Sequence, residues 1–220
     1  PQQLLRLRQT AASADGPLRY EAIRMIGIGG GPEALAGLSE LYAGGDPETK
    51  EAVLEAYLIA DDKEAVYRIA ANAQDAEEFE DAVEMLGAMG ALEQLRALRS
   101  RGDMSEVLIE AYAVAGDTES LRELATDRSN PERQAQAIQA LGIAGADPEI
   151  LVGIYRDANT PVIKEAVREG LLIGGHDAAV LQLFQESRDS TEKRELLELL
   201  VMMDSDAAWE VIDSTLENGQ

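Results

Sequence analysis

Asn130 to Gly145 reads Asn-Pro-Glu-Arg-Gln-Ala-Gln-Ala-Ile-Gln-Ala-Leu-Gly-Ile-Ala-Gly, and Asn159 to Gly174 reads Asn-Thr-Pro-Val-Ile-Lys-Glu-Ala-Val-Arg-Glu-Gly-Leu-Leu-Ile-Gly. Each stretch opens on a residue that can cap a helix, runs with helical apolar spacing and stops at glycine. Each is followed by a second, shorter apolar helix. Self-similarity at a fixed period of this size is the signature of stacked helix pairs.

Working outward in both directions, the same unit recurs. Capping candidates fall at Asp15, Asp46, Asp75, Asp103, Asn130, Asn159 and Asp189. Their short side chains accept hydrogen bonds from the free N–H groups of a first helical turn. Pro47 and Pro131 follow directly, where a missing donor costs nothing, and Pro17 and Pro161 sit one place further on. A gap-free alignment of the seven units gives an apolar column Ile26, Ala56, Leu86, Tyr112, Leu141, Gly170 and Leu200. Two residues on comes a second, Ile28, Leu58, Ala88, Val114, Ile143, Leu172 and Met202. Together they are expected on one broad buried helix face. The stop column is Gly30, Ala60, Gly90, Gly116, Gly145, Gly174 and Asp204. Glycine there suits the left-handed turn that ends many helices. Second helices carry Leu35, Ala65, Leu95, Leu121, Ile150, Ala179 and Trp209, with Leu38, Leu98, Leu124 and Ile212 three residues later. Residues 1 to 14 read as the second helix of a truncated pair, so further sequence is expected before Pro1.

These residues resemble HEAT-like repeats of the short class, first recognised in phycobilisome lyases. Ala137-Ile138-Gln139-Ala140-Leu141-Gly142 with Gly145 carries the likeness, as do Leu18-Arg19 before Ala22-Ile23 and the ending Gly29-Gly30. The family's arginine, three residues before the first alanine, recurs here only as Arg19. Met202-Met203-Asp204-Ser205 and the Trp209 helix are similar to the C-terminal unit of bacterial secreted proteins with such repeats. The resemblance implies an all-α, right-handed solenoid of about seven helix pairs plus a leading half repeat. It spans residues 1–220 as one domain, with repeats starting near 15, 46, 75, 103, 130, 159 and 189. It also implies a non-catalytic role, in which a concave helical surface binds a protein. A tetrapyrrole-handling lyase or chaperone-like protein is the alternative that the lyase likeness allows, and a structural spacer of a larger extracytoplasmic protein is another.

Composition narrows the partners. Against 42 acidic residues stand 19 basic ones, for a formal charge of −23. Such a balance repels nucleic-acid phosphates and anionic membranes. Only 4% of residues are aromatic, so the core is expected from Leu, Ile, Val and Ala, which suit close helix stacking. With no cysteine there is no disulfide, thiolate metal site or cysteine nucleophile. That absence tilts the compartment towards periplasmic or secreted over cytoplasmic. No apolar run approaches the roughly 18–20 residues of a spanning helix. A monomer is expected, or a dimer through the face exposed near residues 1 to 14.

No arrangement of residues spells catalysis. His176 is the only histidine and is read as a solvent-facing turn residue. The iron-dependent hydroxylases built on HEAT repeats need several histidines, so that activity is excluded. Gly27-Ile28-Gly29-Gly30-Gly31 lacks the preceding strand and third glycine of a nucleotide-binding loop and is read as a helix stop. Asp204 and Asp206 lack the remainder of a calcium loop and are read as turn residues. Cofactors and metals are therefore expected to be absent. Against the acidic trend, Arg96, Arg99, Arg101, Arg122, Arg128 and Arg133 cluster in the middle of the chain. Arg96, Arg99 and Arg122 are the candidates for docking an acidic partner segment, with Tyr42, Tyr67 and Tyr155 edging the same surface. Against this stands simple helix pairing, since Glu93 and Glu119 lie three residues before Arg96 and Arg122.

Overall fold

Residues 2–101 and 106–218 are described in the computed structural model, and among them every regular element is helical. The chain divides into two compact units, Pro1–Ala111 and Tyr112–Gln220. The first holds α1 (Gln2–Ser13), α2 (Pro17–Gly29), α3 (Gly31–Ala43), α4 (Pro47–Ile59), α5 (Lys63–Asn72), α6 (Ala76–Ala88), α7 (Leu92–Leu98) and most of α8 (Glu106–Ala115). The second continues with α9 (Thr118–Thr126), α10 (Pro131–Ile143), α11 (Pro148–Asp157), α12 (Pro161–Gly174), α13 (Asp177–Glu186), α14 (Ser190–Met202) and α15 (Asp206–Asn218).

From α4 to α13 each first helix is followed by a shorter second helix, while α2 and α3, and α14 and α15, are equal in length. In the first unit α1 packs on α2 and α3, α2 on α4, and α5 on α6 and α7. In the second, α10 packs on α9 and α12, α11 on α12 and α13, and α13 on α14 and α15. First helices approach closely because small residues face each other. A methyl on Gly27 would stand 2.7 Å from the Ala56 Cα, and one on Gly142 would meet the Gly170 carbonyl oxygen. Between them run fully buried Ile23, Ile26, Leu38 and Leu86 in the first unit, and Leu121, Ile138, Leu141 and Leu151 in the second.

Helix starts follow local chemistry. Asp46, Asp75, Asn130 and Asp189 are N-caps, their side chains accepting from the N–H of Thr49, Glu78, Arg133, and both Thr191 and Glu192 respectively. Two expected caps are corrected. Gly16, not Asp15, precedes α2, and Thr160, not Asn159, caps α12 through its hydroxyl. In both cases proline fixes the helix start, and the residue beside it takes the cap position. The expected cap Asp103 lies outside the described residues.

The turn between the helices of a pair recurs with one geometry. Positive φ angles fall at Gly31, Asp61, Gly90, Gly116, Gly145, Gly175 and Asp204. At six of them the residue after the turn donates its N–H five residues back: Asp62 to Tyr57, Ala91 to Leu86, Asp117 to Tyr112, Ala146 to Leu141, His176 to Leu171 and Ser205 to Leu200. The turn residue itself donates three back, as from Gly145 to Gly142. This pair of bonds satisfies the last carbonyls of the first helix. The first repeat lacks the longer bond because Pro32 has no N–H. Three expected stops, Gly30, Ala60 and Gly174, are each one residue early, because the turn comes one residue later in those repeats.

The second apolar column is also corrected. Ile28 is 63% exposed, Val114 66%, Ile143 60% and Met202 70%. Residues two apart on a helix point about 200° away from each other, so burying one turns the other to solvent. Trp209 is likewise exposed, and Ala208 takes its place in the core.

Candidate functional surfaces

The six residues proposed from sequence are divided between the two units. Arg96 and Arg99 are exposed at the end of α7 in the first unit, and Arg122 is exposed on α9 in the second. Tyr67 is half-buried on α5. Tyr42 and Tyr155 are 8% and 5% exposed, which makes them core residues of their units and leaves little of either ring to a partner.

Those two tyrosines take part in a repeated clasp. Lys50 lies 5.2 Å from the centre of the Tyr42 ring, Lys164 lies 5.0 Å from Tyr155, and Lys193 lies 5.4 Å from Phe184. In each case an aromatic residue near the end of a second helix is covered by a lysine from the next first helix. A cation over a ring face is attracted by its quadrupole, worth roughly 0.5–2 kcal/mol depending on exposure. Burial, aided by Glu78, Asp81 and Asp75, lifts the Tyr42 phenol above its ordinary range. Burial also lifts Tyr155, with Glu192 adding and Lys164 and Arg168 opposing. Lys164 pairs with Glu192 as well. The sequence signal, an aromatic eight or nine residues before a lysine, is visible only once the repeat register is known.

Arg101, from the same arginine cluster, closes the first unit. Its guanidinium donates to the Ala70 and Ala73 carbonyls and lies 4.9 Å from the Phe79 ring. A cation here meets the negative end of the α5 dipole. In the second unit Arg156 and Glu186 join second helices α11 and α13 through two bonds of 3.0 and 2.6 Å. That pairing holds the Glu186 carboxyl below its usual range and raises Arg156.

Second helices leave open grooves between them. One of about 490 Å³ lies between α3 and α5, with Leu35, Tyr42, Tyr57 and Arg68 on its walls. Another of about 440 Å³ lies between α9 and α11, where Arg122 and Arg128 face Glu149, Asp157 and the bare backbone of Gly153. Arg122 thus belongs to a groove that also carries carboxylates. His176 is half-buried with its Nε2 enclosed, rather than open to solvent, because the ring folds back over Gly174.

First helices carry the other surface. Counted back from the left-handed turn, the fourth residue before it in the helix is buried in six repeats: Tyr57, Leu86, Tyr112, Leu141, Leu171 and Leu200. Two residues before each turn stand Ile59, Ala88, Val114, Ile143, Ile173 and Met202, and all six are exposed. Sequence reasoning picked out four of these six, Ala88, Val114, Ile143 and Met202, and placed them inside; in the other two repeats it named Leu58 and Leu172, each one residue earlier. In the first unit it is flanked by carboxylates at i,i+4 spacing: Glu51 and Glu55, Glu77 and Asp81, Glu80 and Glu84, Glu106 and Glu110. Such like-charge pairs each cost a helix about 0.2–0.5 kcal/mol. In the second unit several first-helix charges are matched: Arg168 with Glu195 at 3.2 Å, Arg194 with Glu198 at 3.8 Å, and Glu169 with the Gln139 amide.

Among the described residues no three His, Asp or Glu side chains are grouped to hold a metal ion, and no helix is long and apolar enough to cross a membrane. Comparison with protein-family models gives no match, and comparison with curated proteins gives none either.

Proposed function

We propose that this chain is a non-catalytic protein-binding scaffold, a right-handed solenoid of HEAT-like helix pairs. The observation that carries this reading is the exposed apolar column two residues before the turn in six repeats. A folding requirement would bury those side chains or let them be polar. Leaving Val114, Ile143 and Met202 more than half exposed keeps apolar area in water, at a cost of roughly 25 cal/mol per Å² until something covers it. The grooves between second helices add a repeated, shallow surface with both charge signs, suited to side chains of a partner.

The test is cross-linking and pull-down with the wild-type chain beside a variant carrying Ile59→Ser, Val114→Ser, Ile143→Ser and Met202→Ser. All four positions are exposed, so circular dichroism should be unchanged. A scaffold loses its captured proteins in the variant; an identical set of captured proteins removes the reading. Mixing the chain with haem or a bilin should produce no absorbance shift, and a saturable shift would favour a tetrapyrrole carrier instead.

A further inference from the structure

We propose that the outer face of α2, α4 and α6 in the first unit docks a basic amphipathic segment of a partner protein. This rests on the scaffold reading and gives one of its surfaces an occupant. Met25 and Ile28 on α2 are 46% and 63% exposed, and Leu58 and Ile59 on α4 are 40% and 43% exposed. These helices meet at the Gly27–Ala56 contact, so the two apolar pairs are neighbours on adjacent helices. Close-packed helix axes stand about 8–10 Å apart. Two turns of a partner helix rise about 11 Å, so leucines seven residues apart would meet one pair each.

Charge selects the occupant. Glu51, Glu55, Glu80, Asp81 and Glu84 are exposed on α4 and α6, and no ion-pair partner stands against any of them among the described residues. Arg24 is the cation exposed on α2 here, and Glu21 lies 3.8 Å from it. Carboxylates at i,i+4 spacing repel, and a lysine-rich partner relieves that repulsion while its apolar face covers Ile28 and Leu58. A second copy of this chain would bring the same carboxylates against each other, and an anionic surface would be repelled. The equivalent face of the second unit does not share this character, because Arg168, Arg194 and Lys164 are matched there with Glu195, Glu198 and Glu192.

The test uses the whole chain and a fluorescent two-heptad peptide with leucine on one helical face and lysine elsewhere, titrated by anisotropy. Two control peptides have glutamate in place of lysine, or serine in place of leucine. The leucine–lysine peptide should bind, both controls should bind at least about tenfold more weakly, and raising salt from about 0.1 M to 0.5 M should weaken binding further. Ile28→Ser with Leu58→Ser, and separately Glu51→Gln with Glu55→Gln, should each lower affinity about tenfold. Ile143→Ser with Met202→Ser should leave it unchanged. The glutamine pair keeps the apolar residues, so it decides the matter should the serine pair misfold. Equal binding of the serine–lysine peptide, an equal loss from the second-unit pair, or no binding at all overturns the proposal. So does self-association of the chain that Ile28→Ser with Leu58→Ser abolishes, which would make a second copy the occupant. Pull-down that depends on Ile143 and Met202 alone would remove this inference and leave the scaffold reading standing.

Discussion

Two glycines of the second unit should respond to the same substitution with opposite signs. Gly153 lies inside α11, where a methyl group would meet no atom within 4 Å. Alanine there gains helix propensity, about 0.8–1.0 kcal/mol, and loses nothing. Gly142 lies near the end of α10, where a methyl would stand 2.9 Å from the Gly170 Cα and 3.0 Å from its carbonyl carbon, with the carbonyl oxygen nearer still. Those atoms are backbone and cannot rotate aside, so α10 and α12 must separate. Overpacking of this kind costs roughly 1–3 kcal/mol, which offsets or exceeds the gain in propensity. The two variants should therefore differ by about 1–3 kcal/mol, with Gly153→Ala the more stable. For a chain of this size that is a separation of about 2–4 °C in Tm per kcal/mol. Urea and thermal unfolding followed by far-UV circular dichroism would measure it. If Gly142→Ala stabilises as much as Gly153→Ala, the close approach of first helices through small residues is not what holds α10 against α12.

Other substitutions probe the turns and the clasp. Asp61 and Asp204 hold φ angles of 53° and 50°, where the other five turns have glycine. Asp61→Gly should stabilise by about 0.5–1 kcal/mol relative to Asp61→Asn, which removes the charge and keeps the strain; equal midpoints for the two variants would rule out strain there. Lys193→Gln should cost roughly 0.5–2 kcal/mol by removing the cation 5.4 Å from the centre of the Phe184 ring; an unchanged calorimetric midpoint would count against the clasp. Leu141→Ala should cost roughly 2–5 kcal/mol by leaving a cavity in the middle of the second unit, read by urea unfolding. Thr49, through its hydroxyl and then its backbone N–H, holds the Asp46 carboxyl below the ordinary 3.8. A depressed folded value means that the cap stabilises above the unfolded value and is lost as pH falls through the folded one. Wild type should therefore lose stability on acidification relative to Asp46→Asn, which caps α4 without titrating. Parallel acid-unfolding curves would count against the cap.

Helix existence was legible because apolar spacing recurs along the chain and, in several repeats, proline or a capping residue agrees with it. Asp46, Asp75, Asn130 and Asp189 cap the helices they were expected to cap. What escaped was register to within one residue. Turns at Gly31, Asp61 and Gly175 come one place later than the gap-free alignment puts them. In two of these repeats a glycine stands on either side of the boundary, and in the third an aspartate holds the left-handed angle that glycine would mark. Composition does not settle which of two adjacent residues turns. The roles of Tyr42 and Tyr155 escaped for another reason. Their covering lysines lie eight and nine residues away, in the next repeat, and only packing brings them together.

The misplaced column is the more instructive case, because its error separates folding from function. Leu141 and Ile143 are equally apolar and two residues apart, so periodicity alone assigns both to a single wide face. The structure splits them: Leu141 is fully buried and Ile143 is 60% exposed. Leu141 supplies the carbonyl that closes the turn and fills the core beneath it, so folding accounts for it. Ile143 points about 200° away and makes no such contribution. The same division holds at Tyr112 and Val114, and at Leu200 and Met202. Six repeats keep an apolar residue at a place their own fold does not bury, and that is the area the proposed docking would cover.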